Sequence, residues 1–378
     1  MGVRRTVLGW ADALAGDELR RLVDRRVQQA LDDRGTPAGP GAAPRQPGPP
    51  RERRAVLDAH AARPWLATGR STHTLVQSPE LRALRRAHPY TGPVLVQAGG
   101  GRPAWMWFDE DDLVAAVSFW FGPNAYESLS TTLFAALAAR AGHVLDVGAH
   151  TGIYSLLAGA SSPDVVVHCF EALDRIARRT TTNVRLSGLT DRVRVNAVGV
   201  SAAPGTLTLH HNDAVRLGTG SSFERIAARQ TAAGAATTEV EVTTLDAYWA
   251  AQGRPPVGLV KMDVERHEGQ VVAGARGLLA AEQPVLLAEV LSREDFAGLY
   301  GLLADSGYTR AWHVDDDAGR AYPVRPDLTY GTGAPYTYAR YHNVLFAGER
   351  AAPAVADAVA AHGAAGEAAG PPAARPEG

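Results

Sequence analysis

The sequence has few of the residues that mark disulfide-rich, membrane-spanning or nucleic-acid-binding proteins. Cys169 is the single cysteine among 378 residues, which excludes a disulfide framework and argues against a cysteine-based zinc site. No apolar stretch reaches the roughly 18 residues of a membrane span, and acidic residues from Asp12 onward interrupt a secretory signal. The formal net charge of −2 attracts neither nucleic acid nor an anionic membrane. We therefore expect a cytoplasmic protein without nucleic-acid or membrane partners.

Lysine is also nearly absent. Lys261 is the only lysine, so arginine supplies all but one of the 38 basic side chains. Together with the heavy use of alanine, glycine and proline, this bias is typical of a GC-rich genome. It is an inference about codons and by itself assigns no role to Lys261.

The amino-terminal part of the chain lacks the regular pattern of the residues after about position 125. Apolar residues recur at helical spacing over 10–34, and we expect this stripe to pack on its own domain, with a homodimer contact as the alternative. Strands are predicted at 94–96 and 104–108, and the nearby aromatic group is interpreted as core, with a pocket wall as the alternative. The predicted parts are 1–50 (helix and Pro/Gly-rich linker), 51–125 (α+β accessory region, with helices at 51–67 and 78–88), 126–350 (main domain) and 351–378 (flexible tail).

Within 126–350, strands and helices alternate, which predicts a doubly wound α/β sheet. An antiparallel excursion, 206–210 with 238–243, interrupts the alternation. The predicted strands are 144–147, 165–170, 193–198, 257–262, 285–288 and 343–346, and the predicted helices are 128–140, 153–158, 174–186, 270–281 and 296–306.

A glycine turn follows the first of these strands. Asp146 precedes Gly148, and Gly152 opens the next helix, an arrangement that brings backbone N–H groups close to a nucleotide-like ligand. A carboxylate is the wrong sign for a phosphate cradle but suits hydroxyl and ammonium groups, so S-adenosylmethionine is expected rather than NAD. The turn also lacks the G-x-G-x-x-G spacing of a dehydrogenase. A tight turn that needs glycine only for packing is the alternative.

Acid or amide side chains stand at the ends of several predicted strands. Glu171 follows Asp146 by 25 residues, close to the offset at which an acid reaches the ribose hydroxyls of an adenosine cofactor. Because the carboxyl ends of parallel strands meet at one edge of a sheet, the others are expected beside it. They are Asn196, Asp263, Glu265 and Glu289.

The segment 260–268 is the second focus, because it crowds acids and an imidazole into a few positions. Asp263, Glu265 and His267 are the candidate catalytic bases for removing a hydroxyl proton, and the sequence does not order them. Glu268 is interpreted as a helix-capping residue. Alternatively, Asp263 and Glu289 hold Mg²⁺, which would acidify an acceptor hydroxyl.

Six blocks occur in an order and spacing that resemble the FkbM family of S-adenosylmethionine-dependent methyltransferases. The similarity extends over roughly 126–347, and Tyr126-Glu127 also resembles the family's opening. The blocks are VLDVGAHTG (144–152), CFEAL (169–173), TTLD (243–246), VKMDVE (260–265), LAEV (287–290) and NVLF (343–346).

The resemblance implies a Rossmann-like class I methyltransferase domain that transfers a methyl group to a hydroxyl of a small molecule, typically a natural product or sugar. It matches Glu171 to the ribose acid and Asp263 and Glu265 to the family's Asp-Val-Glu block. It also matches Asp146, Gly148 and Gly152 to the methionine-side loop. The expected cofactor-binding positions are Glu127, Asp146, Gly148, His150, Thr151, Gly152, Glu171, Asn196 and Asp263.

Two departures from the family pattern matter for function. The family usually has asparagine at His150, and a glycine followed by a small residue at Arg266 and His267. The first change affects the cofactor loop, and the second places bulk and charge on the acceptor side. They motivate the alternative hypothesis of a protein that keeps the fold and binds the cofactor but transfers methyl groups weakly or acts as a scaffold.

Overall fold

A computed structural model describes residues 90–99, 101–212, 217, 220–224, 234–330, 343–362 and 364–365. The predicted helices at 10–34, 51–67 and 78–88 and the end of the predicted tail lie outside these residues. Within the described ranges, no helix is both long and apolar enough to cross a membrane.

The described chain contains fourteen strands and nine helices, in an α/β arrangement. The strands are β1 (Gly92–Val96), β2 (Ala104–Phe108), β3 (His143–Val147), β4 (Val166–Phe170), β5 (Val193–Asn196), β6 (Gly199–Val200), β7 (Gly205–Asn212), β8 (Ala235–Thr243), β9 (Val257–Met262), β10 (Val285–Glu289), β11 (Tyr308–Asp315), β12 (Arg320–Val324), β13 (Asn343–Gly348) and β14 (Ala364–Ala365). The helices are α1 (Leu113–Phe121), α2 (Ser128–Ala138), α3 (Ile153–Ser161), α4 (Asp174–Ser187), α5 (Leu245–Ala251), α6 (Glu268–Ala273), α7 (Arg276–Glu282), α8 (Arg293–Ala304) and α9 (Ala352–His362).

The central sheet has nine strands in the order β14-β12-β11-β13-β10-β9-β3-β4-β5. The run from β10 to β5 is parallel, and β13 lies antiparallel between β10 and β11. The predicted doubly wound α/β sheet is confirmed. The predicted excursion is also present, as the antiparallel pair of β7 and β8.

Successive side chains of the buried strands point to opposite faces of the sheet and contribute to two hydrophobic cores. On one face, Val144 and Leu259 pack with apolar residues of α2, α3, α9 and the β1–β2 hairpin. On the other face, Leu145 and Val260 pack with residues of α5, α6, α7 and α8. The two covered faces leave the ends of the strands as the place for a ligand site.

The β1–β2 hairpin packs on the helices of the main domain, and side chains of α4 accept hydrogen bonds from backbone N–H groups of β2. Asn183 Oδ1 accepts from the Trp107 backbone N–H at 2.7 Å, and Ser187 Oγ accepts from the Trp105 N–H at 2.9 Å. The aromatic residues predicted as core are confirmed as such: Trp105, Trp107, Phe119 and Trp120 are buried, and Phe121 packs against the same core. None of these five aromatic residues lines the cavity at the carboxyl ends of the strands.

Two predicted elements differ from the structure for local reasons. The single helix predicted at 270–281 is two helices, α6 and α7, separated by Gly274 and Ala275. The backbone of Gly274 passes so close to Ser201 O that a Cβ there would lie 2.2 Å from it, so only glycine fits at the break. The predicted flexible tail begins with α9, whose Val355 and Val359 enter the core.

Candidate active site

The candidate site is a cavity of about 430 Å³ at the carboxyl ends of β3, β4, β9 and β10. It lies where the strand order reverses between β3 and β9, the point at which an open α/β sheet leaves a crevice for ligands. Its volume is within the range typical of small-molecule sites. Of the predicted site residues, Glu127, Asp146, Gly148, His150, Thr151, Gly152, Glu171, Asp263 and Glu265 line it.

The two glycines of the turn after β3 are required by packing. Both have left-handed backbone, with φ of 78° at Gly148 and 92° at Gly152. A Cβ at Gly148 would lie 1.9 Å from Asp263 O, and one at Gly152 would lie 2.7 Å from Thr180 Cγ2. The packing interpretation therefore accounts for the missing side chains, while the backbone of the turn still forms the cavity wall.

His150 also has left-handed backbone, with φ of 49°. Asparagine and histidine tolerate this region better than most residues, so the change from the family's asparagine preserves the turn. Its backbone N–H donates to Glu171 Oε2 at 3.0 Å, and its Nε2 lies 3.1 Å from Leu217 O. The histidine therefore keeps the turn tied to β4 and links it to the chain segment at Leu217.

Glu171 is buried in the cavity wall with both carboxylate oxygens engaged by backbone. Oε2 accepts from the His150 N–H, and Oε1 accepts from the Leu173 N–H at 2.8 Å. Burial raises the pKa of this carboxyl, and the two N–H donors and His150 oppose the rise. Because a carboxylate has about four acceptor sites, it can still accept from cofactor hydroxyls.

Asp146 is almost fully buried beneath the turn, and its Oδ2 accepts from Ser155 Oγ at 2.6 Å. Burial raises its pKa to about 6, against the opposing effects of the Ser155 hydrogen bond and Lys261. At the carboxyl end of β3 it adds negative charge beneath the cavity.

The raised pKa of Asp146 predicts how stability depends on pH. The folded protein holds this proton more tightly than the unfolded chain, so the contribution is largest below about pH 4 and is lost as pH rises to about 6. Asp146→Asn removes the titration and should reduce the fall in urea-unfolding free energy between these pH values. The matched control is Asp164→Asn, at an exposed position. Equal dependence of the unfolding free energy on pH in wild type and both variants, all without cofactor, would contradict the prediction.

Sequence reasoning missed Lys261, which is buried at the centre of the acids. Its Nζ lies 3.3 Å from Asp263 Oδ2 and 4.9 Å from the centre of the Tyr154 ring. Burial alone would lower its pKa, but Asp263, Glu127, Glu289 and Asp146 reverse this effect and raise it. The available signal was a lone lysine in a predicted buried strand, two residues before Asp263.

Glu127 and Asn343 form the side of the cavity next to Lys261. Glu127 Oε2 accepts from the Tyr154 hydroxyl and from Asn343 Nδ2, the latter at 3.0 Å. Burial raises the pKa of Glu127, and Lys261 opposes the rise. Asn343 was part of a sequence block used for the family resemblance, but its side chain was not predicted to be in the site.

Three carboxyl groups converge at the opposite end of the cavity from Glu171, beyond the ends of β9 and β10. Asp263, Glu265 and Glu289 each contribute an oxygen, and these oxygens lie within 4.8 Å of one another. Burial and the neighbouring Asp263 and Glu265 raise the pKa of Glu289 well above its ordinary value. Glu265 has φ of 55°, and the turn it starts places Arg266 at φ 78°, a conformation that explains the family's glycine there.

The structure does not bring His267 into the cavity, contrary to its prediction as a catalytic base. Its Nε2 lies 3.0 Å from Ser201 Oγ, and its Nδ1 lies 3.0 Å from Glu224 Oε1, so both ring nitrogens have partners elsewhere. Asn196 is also absent from the cavity wall, since its Nδ2 donates to Cys169 O at 3.0 Å. Glu268 is the first residue of α6, where an acidic side chain is expected, but its Oε1 accepts from the Val264 N–H ahead of the helix and makes no side-chain cap bond.

The sequence and the fold were compared with those of known proteins, and the matches include methyltransferases. The sequence model described as the methyltransferase FkbM domain matches residues 146–310, from Asp146 of the cavity to Arg310 of β11. Residues 146–310 are therefore similar to an FkbM methyltransferase domain. This is a domain of S-adenosylmethionine-dependent methyltransferases.

Solved structures similar to the chain include a methyltransferase FkbM from Methylobacillus flagellatus, at 14% identity and a TM-score of 0.36. The similarity covers 64% of this chain and 56% of that one, so this chain matches a little over half of that protein's length. A Bacillus cereus O-methyltransferase in complex with SAH is 13% identical, with a TM-score of 0.32, over 58% of this chain and 79% of that one. A SAM-dependent O-methyltransferase from Thermotoga maritima is 12% identical, with a TM-score of 0.33, over 70% and 80%. No curated protein matches the sequence.

The cavity is completed by residues on either side of the matched range. Glu127 precedes the match and Asn343 follows it, yet both line the cavity and are hydrogen-bonded to each other. The strand β13, which carries Asn343, pairs with β10 inside the sheet. The residues that form the cavity therefore extend beyond the matched range, at least from Glu127 to β13.

Proposed function

We propose that this chain transfers the methyl group of S-adenosylmethionine to a hydroxyl oxygen of a small molecule, such as a natural product or a sugar moiety. The observation that carries the proposal is the cavity at the reversal of strand order, with Glu171 at one end and Asp263, Glu265 and Glu289 at the other. One end suits the ribose of a cofactor and the other suits an acceptor.

The residues present fit the cofactor in charge and in hydrogen-bonding capacity. S-Adenosylmethionine supplies an electrophilic methyl group on a positively charged sulfur. Glu171 retains acceptor capacity for ribose hydroxyls. The buried Asp146 and the half-buried Glu127 provide the negative surroundings that a sulfonium and an ammonium group favour. We propose that Gly148, His150, Thr151 and Gly152 hold the cofactor through the backbone of their turn.

Positioning is expected to supply most of the catalysis, with a carboxylate receiving the hydroxyl proton of the acceptor. Asp263 is the preferred base because it lies in the cavity, about one-third exposed, with Lys261 beside its Oδ2. Glu265 is the second candidate. In this proposal the acceptor enters the cavity between the ends of β9 and β10.

The proposal is tested by measuring S-adenosylhomocysteine formation over a panel of hydroxyl-bearing acceptors, with matched amines as comparison. Asp263→Asn should lower turnover about 10²–10⁴-fold, the usual contribution of a general base, with cofactor affinity nearly unchanged. His267→Gln and the exposed control Glu241→Gln should keep turnover close to wild type.

Two results would count against this assignment. Methyl transfer to amines but not to hydroxyls would replace the acceptor class. Cofactor binding without turnover on any acceptor would favour the scaffold hypothesis that His150 and Arg266 raised.

A further inference from the structure

Three carboxyl groups and one ammonium group meet at the acceptor end of the cavity. Asp263, Glu265 and Glu289 offer oxygens within 4.8 Å of one another, and Lys261 reaches only Asp263 among them, through Oδ2 at 3.3 Å. These carboxyl groups come from two neighbouring strand ends, so the sheet itself holds them together against their mutual repulsion. Such an arrangement costs stability unless a cation or a proton is shared among them.

A second, independent feature lies at the same place. Glu289 Oε2 and Asn343 Oδ1 are buried oxygens that have no hydrogen-bond partner among the described residues. The two residues face each other across the β10–β13 pair, and Asn343 is only 3% exposed. Asn343 Nδ2 donates to Glu127, which fixes the orientation of the amide and leaves Oδ1 as the available acceptor.

We propose that Asp263, Glu265, Glu289 and Asn343 form a binding site for a divalent cation, Mg²⁺ or Mn²⁺. Carboxylate and amide oxygens are the ligands that these ions prefer, and four of them leave about two of six octahedral positions for water or an acceptor oxygen. An ammonium group has three N–H donors, one fewer than these four candidate oxygens. The cation is therefore favoured over an amine of the acceptor as the occupant.

The site would connect the sheet to the acceptor. Its ligands lie on the cavity wall, so an ion held there contacts whatever enters beside Asp263 and Glu265. Under the proposed function, on which this role rests, the ion holds the acceptor oxygen in place. Ion binding itself does not depend on that function.

The test is a titration of the full chain with Mn²⁺, followed by electron paramagnetic resonance and calorimetry. We expect saturable binding of one ion per chain, weakened at least tenfold in Glu289→Gln and in Asp263→Asn, but unchanged in Glu241→Gln. Glu289→Gln is nearly isosteric and relieves repulsion, so it should unfold at a higher urea concentration than wild type without the ion. A structural role alone would not combine higher stability with weaker ion binding.

Other outcomes overturn the proposal. These are no saturable binding by wild type, binding that is equal in all variants, or the same affinity for an alkylammonium ion as for Mn²⁺. S-Adenosylmethionine affinity is measured on the same samples. Cofactor binding without Mn²⁺ binding overturns the ion site alone, whereas Mn²⁺ binding without cofactor binding or transfer overturns the proposed function alone.

Discussion

Lys261→Met is expected to lower the free energy of unfolding by about 3–5 kcal/mol, the cost of removing one partner from a buried ionic cluster. The lysine is 1% exposed, and its ammonium group is the counterion of Asp263, with Glu127, Glu289 and Asp146 near enough to raise its pKa. Methionine fills much of the same volume but leaves the acids without that charge. The loss should therefore come from electrostatics more than from packing.

The measurement is urea unfolding near neutral pH, without cofactor or metal. The exposed Arg276→Met is the matched control and should change stability by less than about 0.5 kcal/mol. Adding Asp263→Asn to Lys261→Met should recover part of the loss, because one uncompensated acid is removed. A loss below about 1 kcal/mol for Lys261→Met, the level of a surface ion pair, would show that the cluster is hydrated and not held by this lysine.

Glu171→Gln is expected to weaken S-adenosylmethionine binding about 10–100-fold. The carboxylate accepts from the His150 and Leu173 N–H groups and has acceptor capacity left for hydroxyls, whereas glutamine has one oxygen and presents an NH₂ group in place of the other. Hydrogen bonds to a charged acceptor contribute about 1.5–3 kcal/mol, which corresponds to this range of affinity.

Calorimetric titration with S-adenosylmethionine and S-adenosylhomocysteine measures this effect, with Glu241→Gln as the control for losing one carboxylate elsewhere. Circular dichroism and the urea midpoint show whether the turn after β3 has kept its fold. Unchanged affinity in a folded Glu171→Gln protein would mean that Glu171 only fastens the turn and that the ribose binds elsewhere.

Much of the sheet could be predicted because buried parallel strands leave a simple pattern. The strand 257–262 was predicted with the bounds of β9, and α4 extends only one residue beyond its predicted end, where Gly188 adopts the left-handed conformation and terminates it. The strand ends carrying Asp146, Glu171, Asp263 and Glu289 converge on one cavity because parallel strands place their carboxyl ends at one edge of the sheet.

The failures arise where local backbone decides direction. Two consecutive residues with positive φ, Glu265 and Arg266, turn the chain after β9, and His267 then lies toward Ser201 and away from the cavity. The spacing between Asp263 and His267 in the sequence does not reveal that turn. Asn343 was missed because it follows Asp263 by 80 residues and joins the site only through the antiparallel pairing of β13 with β10.

The burial of Lys261 has a practical consequence for chemical labelling. Because it is the only lysine and is 1% exposed, no side-chain amine on the folded protein is open to amine-reactive esters. Acylation at this one position can occur only when β9 separates from its neighbours or the cavity opens. The rate of that single modification, followed by mass spectrometry, therefore measures how often this part of the sheet opens. A bound ligand should slow the modification.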